Sequence, residues 1–221
     1  IGFCISEGLL GVLVGEVGCG KTIAVRAAVD GLDRTRFQVI YVAIVTTLGG
    51  VPRYRKAELI AQTADVLAAE EAERHRRVIL VVDEAHLLTP EQIEELRLLT
   101  NADFDSRTPF VGILVGQPTL SRRLRMGAFA ALDQRIAVRF ALTPMDLSES
   151  LSYLRHHLAL VGRTDPLFAD DAVARLHRAA NGLPRQLNNA ATAALIAAAA
   201  EGKALVDDAC AKRAAAELTR D

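Results

Sequence analysis

The residues with the plainest chemistry are Gly15-Glu16-Val17-Gly18-Cys19-Gly20-Lys21-Thr22, which follow the apolar run Val12-Leu13-Val14 and lead at once into helical patterning. Three glycines let such a loop curl until successive backbone N–H groups face one point, and the positive end of the next helix adds to the field there. Phosphate oxygens bind in that arrangement. Lys21 suits the β- and γ-phosphates of ATP and the Thr22 hydroxyl suits Mg²⁺, with Glu16, Val17, Gly18, Cys19 and Gly20 completing the cradle. A plain glycine turn between strand and helix needs neither the lysine nor the threonine.

Phosphate binding becomes hydrolysis only with a metal carboxylate and a group that aims water. Val78-Ile79-Leu80-Val81-Val82 ends in Asp83-Glu84, the pattern of a buried parallel strand that delivers carboxylates at its C-terminal edge. Asp83 would hold Mg²⁺ through water, and Glu84 would orient or deprotonate the attacking water. The plainer alternative is that both acids cap the next helix. Asp83-Glu84-Ala85-His86 also spells the D-E-A-H of a helicase superfamily, but those enzymes carry two sheet-bearing motor domains, and here one sheet is followed by helices. His86 therefore reads as the first residue of a surface loop beside the nucleotide.

Three more side chains complete the candidate set. Gln117, after Leu114-Val115-Gly116, can hydrogen-bond the γ-phosphate or the attacking water, or serve as a turn amide before Pro118. Arg135, in Leu132-Asp133-Gln134-Arg135-Ile136, suits an arginine finger acting on ATP in a neighbouring subunit, or a solvated surface arginine. Arg185, in Gly182-Leu183-Pro184-Arg185, opens a helix from which it can close over the phosphates.

These groups need elements to position them. Residues 8–14 read as a strand buried on both faces, and a helix runs from the glycine loop to about Asp30. Phe37 to Val42 reads as a second strand, Ile44 to Leu48 as a short helix, Gly49-Gly50-Val51-Pro52 as a turn and Lys56 to Arg74 as an amphipathic helix. Thr89 with Pro90 behind it starts a helix carrying Ile93, Leu96, Leu98 and Leu99, and Phe110 to Val115 is another apolar strand. Ile136, Val138, Phe140 and Leu142 alternate with Ala137, Arg139 and Ala141, which predicts an edge strand buried on one face. Beyond Pro144 only helices are expected: Asp146 to Val161, Asp170 to Ala180, Pro184 to Glu201 and Asp207 to Leu218, capped near Ser148, Asp170 or Asp171, and Asp207 or Asp208. The expected division is an α/β nucleotide-binding domain over 1–144 and an all-helical domain over 145–221.

Composition narrows the function classes. A 221-residue chain with 51% hydrophobic residues fills its own core. Cys4, Cys19 and Cys210 are odd in number and widely spaced, so neither a disulfide framework nor a zinc knuckle is expected, and a reducing, cytoplasmic setting is. The apolar stretch Ala190 to Ala200 is too short and too alanine-rich to span a bilayer. A net charge of −1 argues against coating nucleic acid by bulk electrostatics. The first residue is Ile1 rather than Met, so a fragment of a longer protein is also consistent.

Taken in order, Gly15 to Thr22, Asp83-Glu84-Ala85-His86, Leu114-Val115-Gly116-Gln117-Pro118, Gln134-Arg135-Ile136 and Gly182-Leu183-Pro184-Arg185 resemble the AAA+ ATPases. The set looks most like the general secretion pathway A-type (ExeA-like) ATPases and the ATP-binding regulators encoded beside transposases, and the similarity covers nearly the whole chain. The resemblance implies a P-loop NTPase αβα sandwich with a five-stranded parallel sheet in the order 5-1-4-3-2 and a C-terminal helical lid. It also implies sensor roles for Gln117 and Arg185, a finger role for Arg135, and oligomers, since the finger acts on a neighbour's ATP. The chain departs from the family where Tyr41-Val42-Ala43 runs directly into Ile44-Val45-Thr46 in place of a longer polar connection. No peptidoglycan-binding or membrane segment follows the tail, which favours the transposon-associated branch.

The leading expectation is thus a Mg²⁺-dependent ATP hydrolase that assembles on DNA and regulates a transposase or recombinase. Arg53-Tyr54-Arg55-Lys56 and Arg122-Arg123-x-Arg125 are the basic clusters available to line a channel, though solvated helix faces explain them as well. The alternatives are an assembly ATPase with protein partners in a secretion or envelope system and, less well supported by Glu84 and Arg185, a small-molecule kinase.

Overall fold

The computed structural model describes residues 1–40, 56–100, 110–163 and 165–218. The end of the second expected strand at Tyr41 and Val42, the short helix, the turn and the cluster Arg53-Tyr54-Arg55 lie outside the described residues.

Five strands form one parallel sheet: β1 Leu10–Gly15, β2 Phe37–Ile40, β3 Arg77–Val82, β4 Val111–Gly116 and β5 Ile136–Leu142. Their order is β2-β3-β4-β1-β5, which is the expected 5-1-4-3-2 read from the other edge. All six residues of β1 and of β4 are buried, as continuous apolar runs in central parallel strands require. Side chains alternate between the two faces. On one face Leu13, Ile79, Val81, Ile113 and Val115 meet Cys4 and Ile5 of α1 (Gly2–Glu7) and Val25 of α2 (Lys21–Asp30). On the other, Leu10, Val12, Val14 and Leu114 meet Ile93 of α4 (Pro90–Leu99), Leu120 and Leu124 of α5 (Pro118–Leu124), and Leu132 of α6 (Ala130–Asp133). Leu67 of α3 (Lys56–Arg74) joins Leu99 over Val78 and Leu80. Two helical layers therefore enclose the sheet.

Two expectations change here. The sequence pattern marks no element over residues 2–7, yet they form α1, whose six residues are too few for a helical period to register. A Cβ at Gly11 would stand 2.7 Å from Cys4 Sγ, so the glycine inside β1 is what admits that helix. In β5 the simple alternation fails. Leu10 pairs with Ile136 but Gly11 with Val138, a bulge that sends Ile136 into one layer while Val138 and Leu142 join the other. Phe140 is left 59% exposed.

The chain divides into two compact units, Ile1–Gly15 with Lys21–Leu142, and Glu16–Gly20 with Thr143–Asp221. The second contains α7 Leu147–Leu160, α8 Asp170–Ala179, α9 Pro184–Ala200 and α10 Asp208–Leu218. Ala190, Ala191, Ala194 and Ala198 of α9 are buried together with Ala211 and Ala214 of α10, so the alanine richness serves close helix packing. Asp146 rather than Ser148 caps α7: its carboxylate accepts Glu149 N–H at 2.7 Å while that of Glu149 accepts Asp146 N–H at 2.8 Å. At α8 the N-cap is Ala169. Asp170 and Asp171 fall in the first turn, where their charge complements the helix dipole. Asp207 accepts Cys210 N–H at 3.0 Å, and Arg175 clamps Asp208 with two hydrogen bonds, tying α8 to α10.

Candidate nucleotide site

β1 pairs with β4 so that Val14 lies opposite Gly116, and β4 pairs with β3 so that Leu114 lies opposite Val82. The loops that follow these strands, carrying Glu16, Gln117 and Asp83, thus leave the same C-terminal edge of the sheet. Ligands of open parallel sheets collect at that edge.

Within the first unit the Lys21 ammonium is buried, 8% exposed, and donates to the Gly15 carbonyl at 2.9 Å. Thr22 Oγ1 donates to Asp83 Oδ2 at 2.9 Å, and Asp83 Oδ1 accepts the Glu84 N–H at 2.9 Å. A hydroxyl and a carboxylate oxygen converge, a hard-oxygen pair of the kind Mg²⁺ selects alongside phosphate and water oxygens. Among the described residues no group of three or more His, Cys, Asp or Glu side chains is arranged to hold a metal ion. The residues present fit Mg·ATP. Glu84 adopts a left-handed backbone at φ 51° and leaves its carboxylate exposed; a non-glycine residue in that region carries strain that the surrounding structure must hold.

The glycine loop itself takes positive φ at Gly18 (84°) and Gly20 (96°), conformations that L side chains adopt at a cost. Cys19 is buried, and its N–H donates to the Glu16 carbonyl at 3.3 Å. In the second unit the Arg185 N–H donates to the Gly18 carbonyl at 3.2 Å, and a Cβ at Gly18 would stand 2.9 Å from Arg185 Cβ. Pro184 at N1 of α9 has no N–H to offer, which leaves the first-turn amide of Arg185 to make this contact.

Gln117 is the N-cap residue of α5, half-buried, with no capping bond from its side chain. Arg135 Nη1 donates to the carbonyl (2.9 Å) and hydroxyl (3.1 Å) of Thr100, at the end of α4. His86 stands between exposed Glu84 and Leu87, as a surface segment has it, but its own side chain is only 12% exposed, with Nδ1 3.3 Å from Glu84 Oε2. Its carbonyl accepts from Arg123 at 3.2 Å, and that guanidinium lies over the Phe129 ring at 5.7 Å. Of the Arg122-Arg123-x-Arg125 cluster, then, only the outer two arginines are exposed.

No helix among the described residues is long and apolar enough to cross a membrane. A family model described as an AAA domain matches residues 5–124. General secretion pathway protein A of Aeromonas hydrophila is 35% identical over 205 residues, covering 86% of this chain; the chain spans 37% of that protein's length. Among solved structures, the ORC2 protein of Aeropyrum pernix superposes with a TM-score of 0.66 at 17% identity, over 95% of this chain and 62% of that one. Cdc6p of Pyrobaculum aerophilum gives 0.63 at 18% identity over 89% and 57%. The RuvB Holliday junction branch migration motor of Thermotoga maritima gives 0.57 at 16% over 93% and 60%. With the P-loop, the acidic strand end and the 5-1-4-3-2 sheet, these matches establish that the chain belongs to the AAA+ family of P-loop ATPases and is similar, within it, to the ExeA-like members.

Proposed function

We propose that this chain is a Mg²⁺-dependent ATP hydrolase acting as an oligomeric, nucleotide-dependent switch. The observation that carries the reading is the 2.9 Å contact between Thr22 and Asp83 beside a buried Lys21, with Glu84 next in sequence. In this reading the amides of Glu16 to Gly20 cradle the phosphates, and Lys21 exchanges the Gly15 carbonyl for β- and γ-phosphate oxygens. Thr22 and Asp83 hold Mg²⁺, which when bound neutralises charge on those oxygens. Glu84 accepts a proton from the attacking water, and Gln117 orients that water or the γ-phosphate. Arg185 reads the phosphates for the helical domain at 145–221. Arg135 acts on ATP in a neighbouring copy, for which it must leave Thr100.

The partner class follows from the relative. Similarity to a protein named for the general secretion pathway supports an assembly ATPase with a protein partner, which now leads over a DNA-bound regulator of a transposase. The second reading keeps one observation, the exposed Arg122 and Arg125. One experiment tests both: Mg²⁺-dependent phosphate release as a function of protein concentration, with and without duplex DNA. The hydrolase reading expects activity that rises faster than linearly with concentration, a Lys21→Ala variant that binds no nucleotide, and a Glu84→Gln variant that binds ATP but turns over about 10²- to 10⁴-fold more slowly. Equal turnover by Glu84→Gln and the parent would sink the assignment. ATP-loaded protein with no salt-sensitive affinity for DNA removes the transposase reading.

A further inference from the structure

We infer that the chain carries a second phosphate site, at the N-terminal edge of the sheet, built from Arg36, His75 and Arg77. β2 and β3 both begin at that edge, with Phe37 opposite Arg77. Asp83 follows the other end of β3, and six residues of strand span about 20 Å, so a group bound here is not part of a nucleotide held by the glycine loop. The cleft has a volume of about 600 Å³ and is lined by Ile5, Ser6 and Phe37 besides the three basic side chains.

The cleft holds more donors than the protein's own acceptors satisfy. Glu71 is the one carboxylate among the described residues lining it, and its Oε1 stands 3.7 Å from Arg77 Nη2, too far for a hydrogen bond. Arg36 lays its guanidinium over the Phe37 ring at 5.9 Å, and neither it nor the exposed His75 has an ion-pair or hydrogen-bond partner among the described side chains. The other acids of these segments are engaged: Asp33 accepts the Thr35 N–H at 2.9 Å and hydroxyl at 2.7 Å, and buried Glu70 faces Arg74 at 2.8 Å and Arg76 at 3.7 Å.

The backbone fixes where the three basic residues start. The Arg36 N–H donates to the Asp33 carbonyl at 3.0 Å, and the Arg77 N–H to the Arg36 carbonyl at 2.9 Å. Arg77 packs on Gly8, where a Cβ would stand 3.0 Å from Nη1. α3 ends at Arg74, and His75 takes φ 52°, a helix-end position that glycine or asparagine usually fills. Three segments thus present basic groups to one concavity. A carboxylate has two oxygens on one side, whereas a phosphate has oxygens enough on several sides for two guanidinium forks and an imidazole. Glu71 in the lining and a net charge of −1 for the chain disfavour a long polyanion, so the ligand is a single phosphate group. It is free phosphate or a small phosphomonoester whose carbon skeleton covers Ile5 and Phe37.

The test titrates inorganic phosphate, phenyl phosphate and duplex DNA, each at constant ionic strength, into the ¹⁵N-labelled full chain carrying Lys21→Ala, which weakens the glycine loop as a competing site. Backbone amide shifts are the readout. The expected result is a saturable shift of the Ser6, Arg36 and Arg77 amides with a phosphate dissociation constant of about 1 mM or tighter. That constant should rise about tenfold in Arg36→Ala and also rise in His75→Asn, which suits left-handed backbone. Arg34→Ala should leave it unchanged, because Arg34 is an exposed arginine of the same turn that does not line the cleft. Tighter binding of phenyl phosphate than of phosphate supports the phosphomonoester, and equal binding supports free phosphate. Equal weakening by Arg34→Ala and Arg36→Ala overturns the site, since bulk charge then explains the shifts. Shifts that persist undiminished in Arg36→Ala and His75→Asn, or none at all, overturn it too. DNA that moves the same amides at lower phosphate concentration than the free ion overturns the choice of a small ligand. The reading of the glycine loop is separate: a parent that hydrolyses no ATP leaves this site standing.

Discussion

Gly18→Ala puts a number on the glycine loop. Gly18 sits at φ 84°, where an L side chain costs about 1–2 kcal/mol. The added methyl would also lie 2.9 Å from Arg185 Cβ, an atom fixed to the first turn of α9 rather than the far end of a flexible side chain, so relief needs a backbone shift. Overpacking of that kind adds about 1–2 kcal/mol, for roughly 2–4 kcal/mol in all. Gly20 is the control: its φ is 96°, but nothing lies within 4 Å of a Cβ there, so Gly20→Ala should cost only the backbone strain of about 1–2 kcal/mol. Where the cost shows depends on whether the free loop relaxes. A loop that stays as it is loses stability, and one that relaxes loses affinity when ATP restores it. The quantity to compare is therefore the sum of the change in unfolding free energy, from denaturant titration, and the change in ATP binding, from calorimetry. If all of it appears in binding, the dissociation constant rises roughly 30- to 700-fold for Gly18→Ala and about 5- to 30-fold for Gly20→Ala, at 1.4 kcal/mol per tenfold. A summed cost for Gly20→Ala equal to or above that of Gly18→Ala refutes the steric argument, and no cost in either refutes the requirement for positive φ.

Two other outcomes follow from the same structure. Arg135→Ala should bind ATP yet hydrolyse it about 10³-fold or more slowly, and mixing it with Lys21→Ala should restore phosphate release, because one variant supplies the intact loop and the other the finger; a mixture as inactive as its parts would confine Arg135 to its bond with Thr100. In the helical unit, the Arg175 hydrogen bond holds the Asp208 carboxyl below its ordinary value of 3.8, so its stabilisation is fully present above that value and is lost as pH falls through the lower folded value. Asp208→Asn should therefore melt at a lower temperature than the parent at pH 7, with the gap closing below about pH 4; a gap that widens with acid would contradict the assignment.

Most of the sheet was legible because its signals are local. Val78 to Val82 and Phe110 to Val115 are unbroken apolar runs, and a central parallel strand buried on both faces needs nothing subtler. The helix starts were legible where a cap and a proline coincide, as at Thr89-Pro90, whose capping box with Gln92 is formed. Where two candidates competed the signal was too coarse: Asp146 and Ser148 are both good caps, and only the reciprocal bond with Glu149 decides between them. The bulge in β5 was invisible for a related reason. Period-2 alternation assumes an unbroken pleat, and a single extra residue after Ile136 moves every later side chain to the other face without altering the sequence pattern.

For the candidate site the division is between residues placed by chain connectivity and residues placed by packing. Lys21 and Thr22 are fixed by the loop that carries them, and Asp83 by the end of a strand two places away in the sheet. Motif spacing and sheet order therefore suffice to bring Thr22 and Asp83 to 2.9 Å. His86 and Arg135 are placed instead by contacts between elements distant in sequence. Arg123 and Gly116 fix His86 from α5 and β4, and Thr100 fixes Arg135 from α4. Nothing local distinguishes a His86 side chain tucked against the protein from one pointing into solvent, since both follow the same Asp83-Glu84-Ala85. The residues proposed to bind phosphate were thus readable from the sequence, while the surroundings of His86 and Arg135 became visible only once the helices were packed on the sheet.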